Sequence, residues 1–241
     1  MAAKADIRSR LQQEILSLQG FKPASFSVAD ALGLACINQS FPQARFPFAG
    51  VHEFFCTNEE TVTASAAFLA GMLASHQQRT GAVLWVCSSR KIFPPALKAF
   101  GLLPEHIIFL ELKKEKELAW AMEEALKCDS LTSVVGEIQE LSFTASRRFQ
   151  LAIEKSGVGC FVLRRNPRNL ATAALTRWQV RSLPGGTEDG LPGVGFPRWQ
   201  VNLLKVRNGK PGTWNLEWVN GRYRLVPTLA VLHRERQKKT G

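Results

Sequence analysis

Gly50-Val-His-Glu-Phe-Phe-Cys-Thr-Asn-Glu-Glu-Thr-Val-Thr63 is the stretch that decides the fold. Val51 to Phe55 is a short apolar run behind a glycine and reads as a buried strand. Glu59 to Gln77 then reads as a helix, so the stretch opens a β-α unit. Further units follow. Ala82 to Val86 is a buried strand, Pro94 to Phe100 a short helix and Ile107 to Leu110 a strand. Glu115 to Lys127 is a helix whose Leu118, Ala121, Met122, Ala125 and Leu126 keep helical spacing. Ser133 to Ile138 is a strand, Thr144 to Ser156 a helix with Thr144 as its N-cap and Gly157 as its stop, and Val158 to Leu163 a strand. This alternation predicts an α/β fold, a mostly parallel sheet with helices on both faces.

Beyond Arg164 the helical pattern stops. Arg177 to Ser182, Arg198 to Lys205 and Thr213 to Trp218 alternate with period two, and Asn208 to Gly212 is a turn between the last two, so an antiparallel section extends the sheet. Pro184 to Gly195 is a glycine-rich loop. On the other side of Gly50, residues 20–49 read as an arm, preceded by an amphipathic helix from Asp6 to Leu18. The expected organisation is residues 1–45 as helix and arm, 46–226 as the core and 227–241 as a basic tail.

The 241 residues are 45% hydrophobic and 21% charged, which excludes wholesale disorder. The net charge of +11 is unevenly placed: from Arg147 onward 18 bases face five acids, a surplus of 13, whereas the preceding residues sum to −2. Such an asymmetry suits a surface that meets a polyanion, nucleic acid first, with a merely solubilising basic face as the alternative. The five cysteines stand singly, without a metal-ligand or disulfide spacing, which fits a reducing cytoplasm. No signal peptide or membrane-spanning run is read from the sequence.

Several stretches in this order resemble the ImuA family, RecA-like proteins of bacterial damage-induced mutagenesis: Gly50-Val-His-Glu-Phe-Phe55, Trp120-Ala-Met-Glu-Glu-Ala-Leu126, Thr144-Ala-Ser-Arg-Arg148, Thr176-Arg-Trp178 and Pro197-Arg-Trp199. The resemblance runs from about Gly50 to Trp218. It implies a RecA-like core and a non-catalytic accessory role in SOS-induced translesion synthesis. The partners it implies are RecA, ImuB, an error-prone DNA polymerase complex, the sliding clamp and DNA bound without sequence specificity.

An ATPase of this layout follows its first strand with G-x-x-x-x-G-K-[ST], whose backbone cradles phosphates and whose Lys reaches the β and γ phosphates. Here Cys56 and Thr61 take the glycine positions, Val62 takes that of the Lys, and only Thr63 remains. Glu59 and Glu60 would repel a triphosphate. No ATP hydrolysis, cofactor or catalytic residue is therefore expected. The alternatives are a residual RecA-like nucleotide-binding ATPase and a SulA-like cell-division inhibitor, which shares the core without the loop; the long basic C-terminal half argues against the second. Glu137 stands near the place of a magnesium-coordinating Asp, with local pairing as its expected role. His52 to Cys56 resembles H-E-x-x-H only superficially, since it lies on a strand and lacks the second His, and no metal site is expected.

The loop after the strand ending at Leu163 carries Arg164, Arg165 and Arg168, and the resemblance makes it a DNA-facing loop whose guanidinium groups take phosphates. The alternative pairs Arg164 and Arg165 with Glu137 or Glu140 across strand ends. Lys205, Arg207 and Lys210 form a second phosphate-contacting set. Trp85, Trp120, Trp214 and Trp218 read as core, and Trp178 and Trp199 likewise, by strand alternation. Ile7, Leu11, Ile15 and Leu18 form the stripe of the N-terminal helix, which by resemblance docks on RecA or on a second copy. The competing reading folds it back on its own core.

Overall fold

The computed structural model describes Leu11, Glu14 and residues 33–74, 81–165, 167–168, 171–186 and 195–227. The strands are β1 (Val51–Cys56), β2 (Ala82–Cys87), β3 (Ile107–Glu111), β4 (Leu131–Ile138), β5 (Gly159–Arg165), β6 (Thr176–Gly186), β7 (Phe196–Val206), β8 (Gly212–Val219) and β9 (Arg222–Leu225). The helices are α1 (Ala35–Asn38), α2 (Glu59–Ala74), α3 (Pro94–Leu97), α4 (Glu115–Ala125) and α5 (Phe143–Ser156). The strands form one sheet in the order β3-β2-β4-β5-β1-β6-β7-β8-β9. Pairing is parallel from β3 to β6 and antiparallel from β6 to β9. This is the architecture expected from the sequence.

Two cores lie on opposite faces of the sheet. On one face Phe54, Trp85, Phe161 and Trp178 pack against Phe68 and Leu69 of α2. On the other, Val51, Val134 and Val162 meet Leu118 and Met122 of α4 and Phe149 and Ile153 of α5. Each such side chain stabilises the fold by about 1.5–3 kcal/mol relative to exposure. Helix α4 comes so close to the sheet that a Cβ on Gly136 of β4 would lie 2.1 Å from the Met122 sulfur. Helix α5 is capped by Ser142, whose hydroxyl accepts the Ala145 N–H, rather than by Thr144, which lies within the helix. It ends at Gly157 in the left-handed conformation, φ 76°.

Several elements differ from the sequence expectation. Strand β5 continues through Arg164 and Arg165, because parallel pairing with β1 extends to Cys56. Strand β6 continues into Gly186, while residues 187–194 of the expected loop lie outside the described residues. Strand β9 is an addition. Within the arm, Leu34, Ile37 and Phe41 are buried in the same core as Trp178, and the Phe41 and Trp178 rings are 6.1 Å apart. Packing thus continues across residue 45. Trp120 is 63% exposed: it neighbours Ala121 but lies off the Leu118–Ala121–Met122 stripe that α4 buries.

Candidate functional site

An open cleft of about 880 Å³ lies beyond the carboxyl ends of β1, β4 and β5, lined among others by Thr57, Asn58, Glu59, Glu140, Arg165 and Arg168. Open α/β sheets place their ligands at such strand ends. The turn from β1 into α2 passes through it, where an NTPase would offer backbone N–H groups to phosphate.

Three of those groups are taken up from within. The Thr61 hydroxyl oxygen accepts the N–H of Thr57 at 2.9 Å and that of Asn58 at 3.1 Å, and the Asn58 carboxamide oxygen accepts the N–H of Thr61 at 2.8 Å. This is a reciprocal capping box closing the first turn of α2. Thr61 stands where the second glycine of a phosphate-binding loop would be. Its side chain occupies donors that a glycine leaves open. Thr63, the surviving hydroxyl, donates to the Glu59 carbonyl at 3.0 Å.

Charge completes the closure. Arg165 reaches Glu59 at 2.6 Å and Glu137 at 3.1 Å, and Lys91 reaches Glu59 at 2.8 Å. Hydrogen bonds from Lys91 and then Arg165 hold the Glu59 carboxyl below its usual range. Burial opposes the charge of Arg165, yet its bonds to Glu137 and Glu59 keep its pKa above the ordinary value. Glu137 also accepts the Trp85 indole N–H at 3.0 Å, so the carboxylate at the expected metal-ligand position serves as a structural acceptor. Cys56 is no nucleophile, because burial pushes its thiol up to about 11.

One layer deeper, Glu53 is fully buried and bridges two arginines, Arg164 at 3.0 Å and Arg177 at 3.0 Å. Arg164 is itself fully buried and reaches Glu140 at 3.2 Å. Both guanidinium groups lie over the Phe55 ring, 5.6 Å and 4.7 Å from its centre. His52 accepts from the Thr176 hydroxyl through Nδ1 at 2.7 Å and donates from Nε2 to the Pro47 carbonyl at 3.0 Å. Burial drives its pKa down to about 4, so it is neutral and ties the arm to β1. That is its role in place of metal ligation. Among the described residues no group of three or more His, Cys, Asp or Glu could hold a metal ion.

No family model matches the chain. Protein ImuA of Caulobacter vibrioides, from strain NA1000 / CB15N and from strain ATCC 19089 / CIP 103742 / CB 15, is 32% identical over 200 residues, which cover 78% of this chain and 82% of that protein. The chain belongs to the ImuA family. Two solved structures are also similar: SulA from Pseudomonas aeruginosa, with 18% identity and a TM-score of 0.41 over 47% of this chain and 96% of that one, and the RadB recombinase, with 14% and 0.46 over 74% and 91%.

In this ImuA-family chain the cations expected to meet DNA divide into two groups. Arg165 pairs in register with Cys56 at the end of β1, whereas Val206, just ahead of Arg207, pairs with Thr176 and so aligns with His52 near its start. Arg164 and Arg165 are not loop residues offered to phosphate, since carboxylates from β1, β4 and the start of α2 already hold them. Arg168 is exposed at the cleft, its backbone N–H donated to Glu140. Lys205 is partly buried on β7, Arg207 donates to the Ala173 carbonyl, and Lys210 is exposed. Of the N-terminal stripe, Leu11 is 52% exposed, and Ile7, Ile15 and Leu18 lie outside the described residues. Among the described residues no helix is long and apolar enough to cross a membrane.

Glu53, Asn58, Thr61 and Arg177 are the site residues that sequence reading missed. A signal existed for each pair. Asn58-x-x-Thr61 at a helix start has capping-box spacing, and a lone Glu in the apolar run of β1 requires a buried cation.

Proposed function

We propose that this protein is a non-catalytic accessory factor of SOS-induced translesion synthesis, acting in the cytoplasm on RecA and ImuB, with an error-prone DNA polymerase complex and with DNA. The family supports the pathway. The observation that carries the non-catalytic part is the Thr61 hydroxyl on the N–H groups of Thr57 and Asn58, backed by Arg165 on Glu59. A phosphate would have to displace a neutral side chain that already satisfies those donors, and Val62 offers it no ammonium in place of the loop Lys. The remaining contributions are assembly and DNA contact, with sequence-independent phosphate binding by Arg168, Lys205, Arg207 and Lys210. Docking on RecA is assigned to Ile7, Leu11, Ile15 and Leu18.

The test is a pulldown of purified RecA and ImuB by the intact chain, with and without single-stranded DNA. Retention of either protein, reduced by Leu11→Asp with Ile15→Asp at an unchanged melting temperature, supports the reading. Retention of neither would overturn it.

A further inference from the structure

We propose that the face of the antiparallel section, strands β6 to β9, that lies opposite α2 docks the phosphodiester backbone of DNA, holding phosphates rather than stacked bases. This rests on the DNA-binding reading above and moves its main surface from loops to the sheet.

The two faces of this section differ completely. Trp178, Val180, Trp199, Val201, Leu216 and Trp218 point into the core beneath α2. Helices α4 and α5 pack on β1, β2, β4 and β5 on the opposite side, and among the described residues neither packs closely on β7 or β8. Strand register places Arg177 beside Lys205, Gln179 beside Asn202 and Arg181 beside Gln200 on that opposite face. Arg222 and Arg224 continue it on β9, opposite Val219 and Glu217.

Glu217 is the acid these paired positions contribute, and Arg198 at 2.7 Å and Arg224 already engage it. The rest of the face is mostly cations and amides, with Leu183, Thr213 and Val219 among them and Arg177 held by Glu53. An antiparallel sheet normally has one solvated polar face, with both signs of charge. Here one sign dominates, in the half of the chain whose surplus charge is 13. Burial and the neighbouring Arg177 push the Lys205 ammonium below its usual range, with Glu53 opposing and Arg207 adding to the push. Burial and then Arg147 on α5 act likewise on Arg207, with Glu154 of the same helix opposing. Cations crowded this way gain from an anion laid across them.

The spacing fits a chain of anions. Alternate side chains along a strand are about 7 Å apart and neighbouring strands about 5 Å apart, a grid of N–H donors for phosphate oxygens, which only accept. Trp178, Trp199, Trp218 and Tyr223 are all buried, so rings that could stack on bases are withdrawn.

The experiment compares two charge-matched double variants of the full chain. Arg181→Glu with Arg222→Glu alters the face at two exposed positions, and Lys116→Glu with Lys155→Glu alters exposed positions on α4 and α5. Binding to labelled duplex and single-stranded oligonucleotides is followed by fluorescence anisotropy across a salt series, with melting temperatures as the check on folding. The face variant is expected to bind at least about tenfold more weakly at low salt, with a salt slope lower by about 1 per reversed residue, while the helix variant stays near the parent. Equal losses in both variants, or none in the face variant while the parent binds, would overturn this surface alone. A parent chain that binds neither DNA would overturn the DNA-binding reading together with it.

Discussion

The parallel half of the sheet, β3 to β1, and the antiparallel half, β6 to β9, treat arginine in opposite ways. In the first, helices cover both faces, and Arg164 and Arg165 are drawn into ion pairs with Glu53, Glu59, Glu137 and Glu140. In the second, one face has little helix cover among the described residues, and cations collect there around the buried Glu217. The seam is Glu53, which holds one arginine from each half. Where helices exclude water a charge must be neutralised, and where they do not it can be kept for a partner. The positive charge of the C-terminal half is therefore not one surface, although the sequence presents it as one run.

The largest effect should come from breaking the seam. Glu53→Gln leaves the buried Arg164 with only the half-exposed Glu140 and takes the buried carboxylate from Arg177 as well, and urea denaturation should register a loss of about 3–5 kcal/mol. Arg224→Gln, at the edge of the antiparallel half, should cost less than about 1 kcal/mol, because Glu217 keeps Arg198 and the guanidinium is largely exposed. Equal costs would erase the contrast between the halves.

The next effect is pH dependence, from His52 beside Glu53. Its folded-state pKa of about 4 lies below the ordinary 6.5, so the unfolded chain takes up the proton first. Its contribution is present in full above pH 6.5 and falls away as pH drops toward 4, by roughly 3 kcal/mol in all. His52→Gln should flatten stability across that window in a series of denaturant midpoints. A wild-type curve already flat between pH 6.5 and 4 would contradict the neutral, doubly hydrogen-bonded ring.

Smaller effects separate residues that look alike in sequence. Trp85→Phe removes the indole N–H from a Glu137 oxygen and should cost about 1–3 kcal/mol. Trp120→Gln, on the exposed side of α4, should stay within about 0.5 kcal/mol. Thr61→Val should fall between them at about 1 kcal/mol, the loss of a capping hydroxyl. Thermal melts of the three variants check the order.

Much of the fold was legible in the sequence because periodicity reports burial directly. Strands β1 to β8 and helices α2 to α5 follow runs such as Ala82 to Val86 and Leu118 to Leu126. Strand β9 was not legible: Arg222-Tyr-Arg-Leu225 is four residues that become a strand only against β8. The site was half legible. Local motif reading found the missing glycines and Lys, and its alternative pairing of Arg164 and Arg165 with Glu137 or Glu140 holds, but Glu53 was not legible, because it and Arg164 stand 111 residues apart in the chain. Thr61 is local and yet hard to see, because a phosphate-loop template marks only the missing glycine there and not the hydroxyl that replaces it. Trp120 shows the opposite error, residue type taken for position when its place on the helix was already readable.

The most direct test of the account is nucleotide binding by the full chain, measured by calorimetric titration with ATP and Mg²⁺ and by phosphate release. With the phosphate cradle closed by Thr61, Asn58 and Arg165, the account predicts no saturable binding at millimolar ATP and no turnover above background. Saturable binding with hydrolysis that disappears on Thr63→Ala would contradict it.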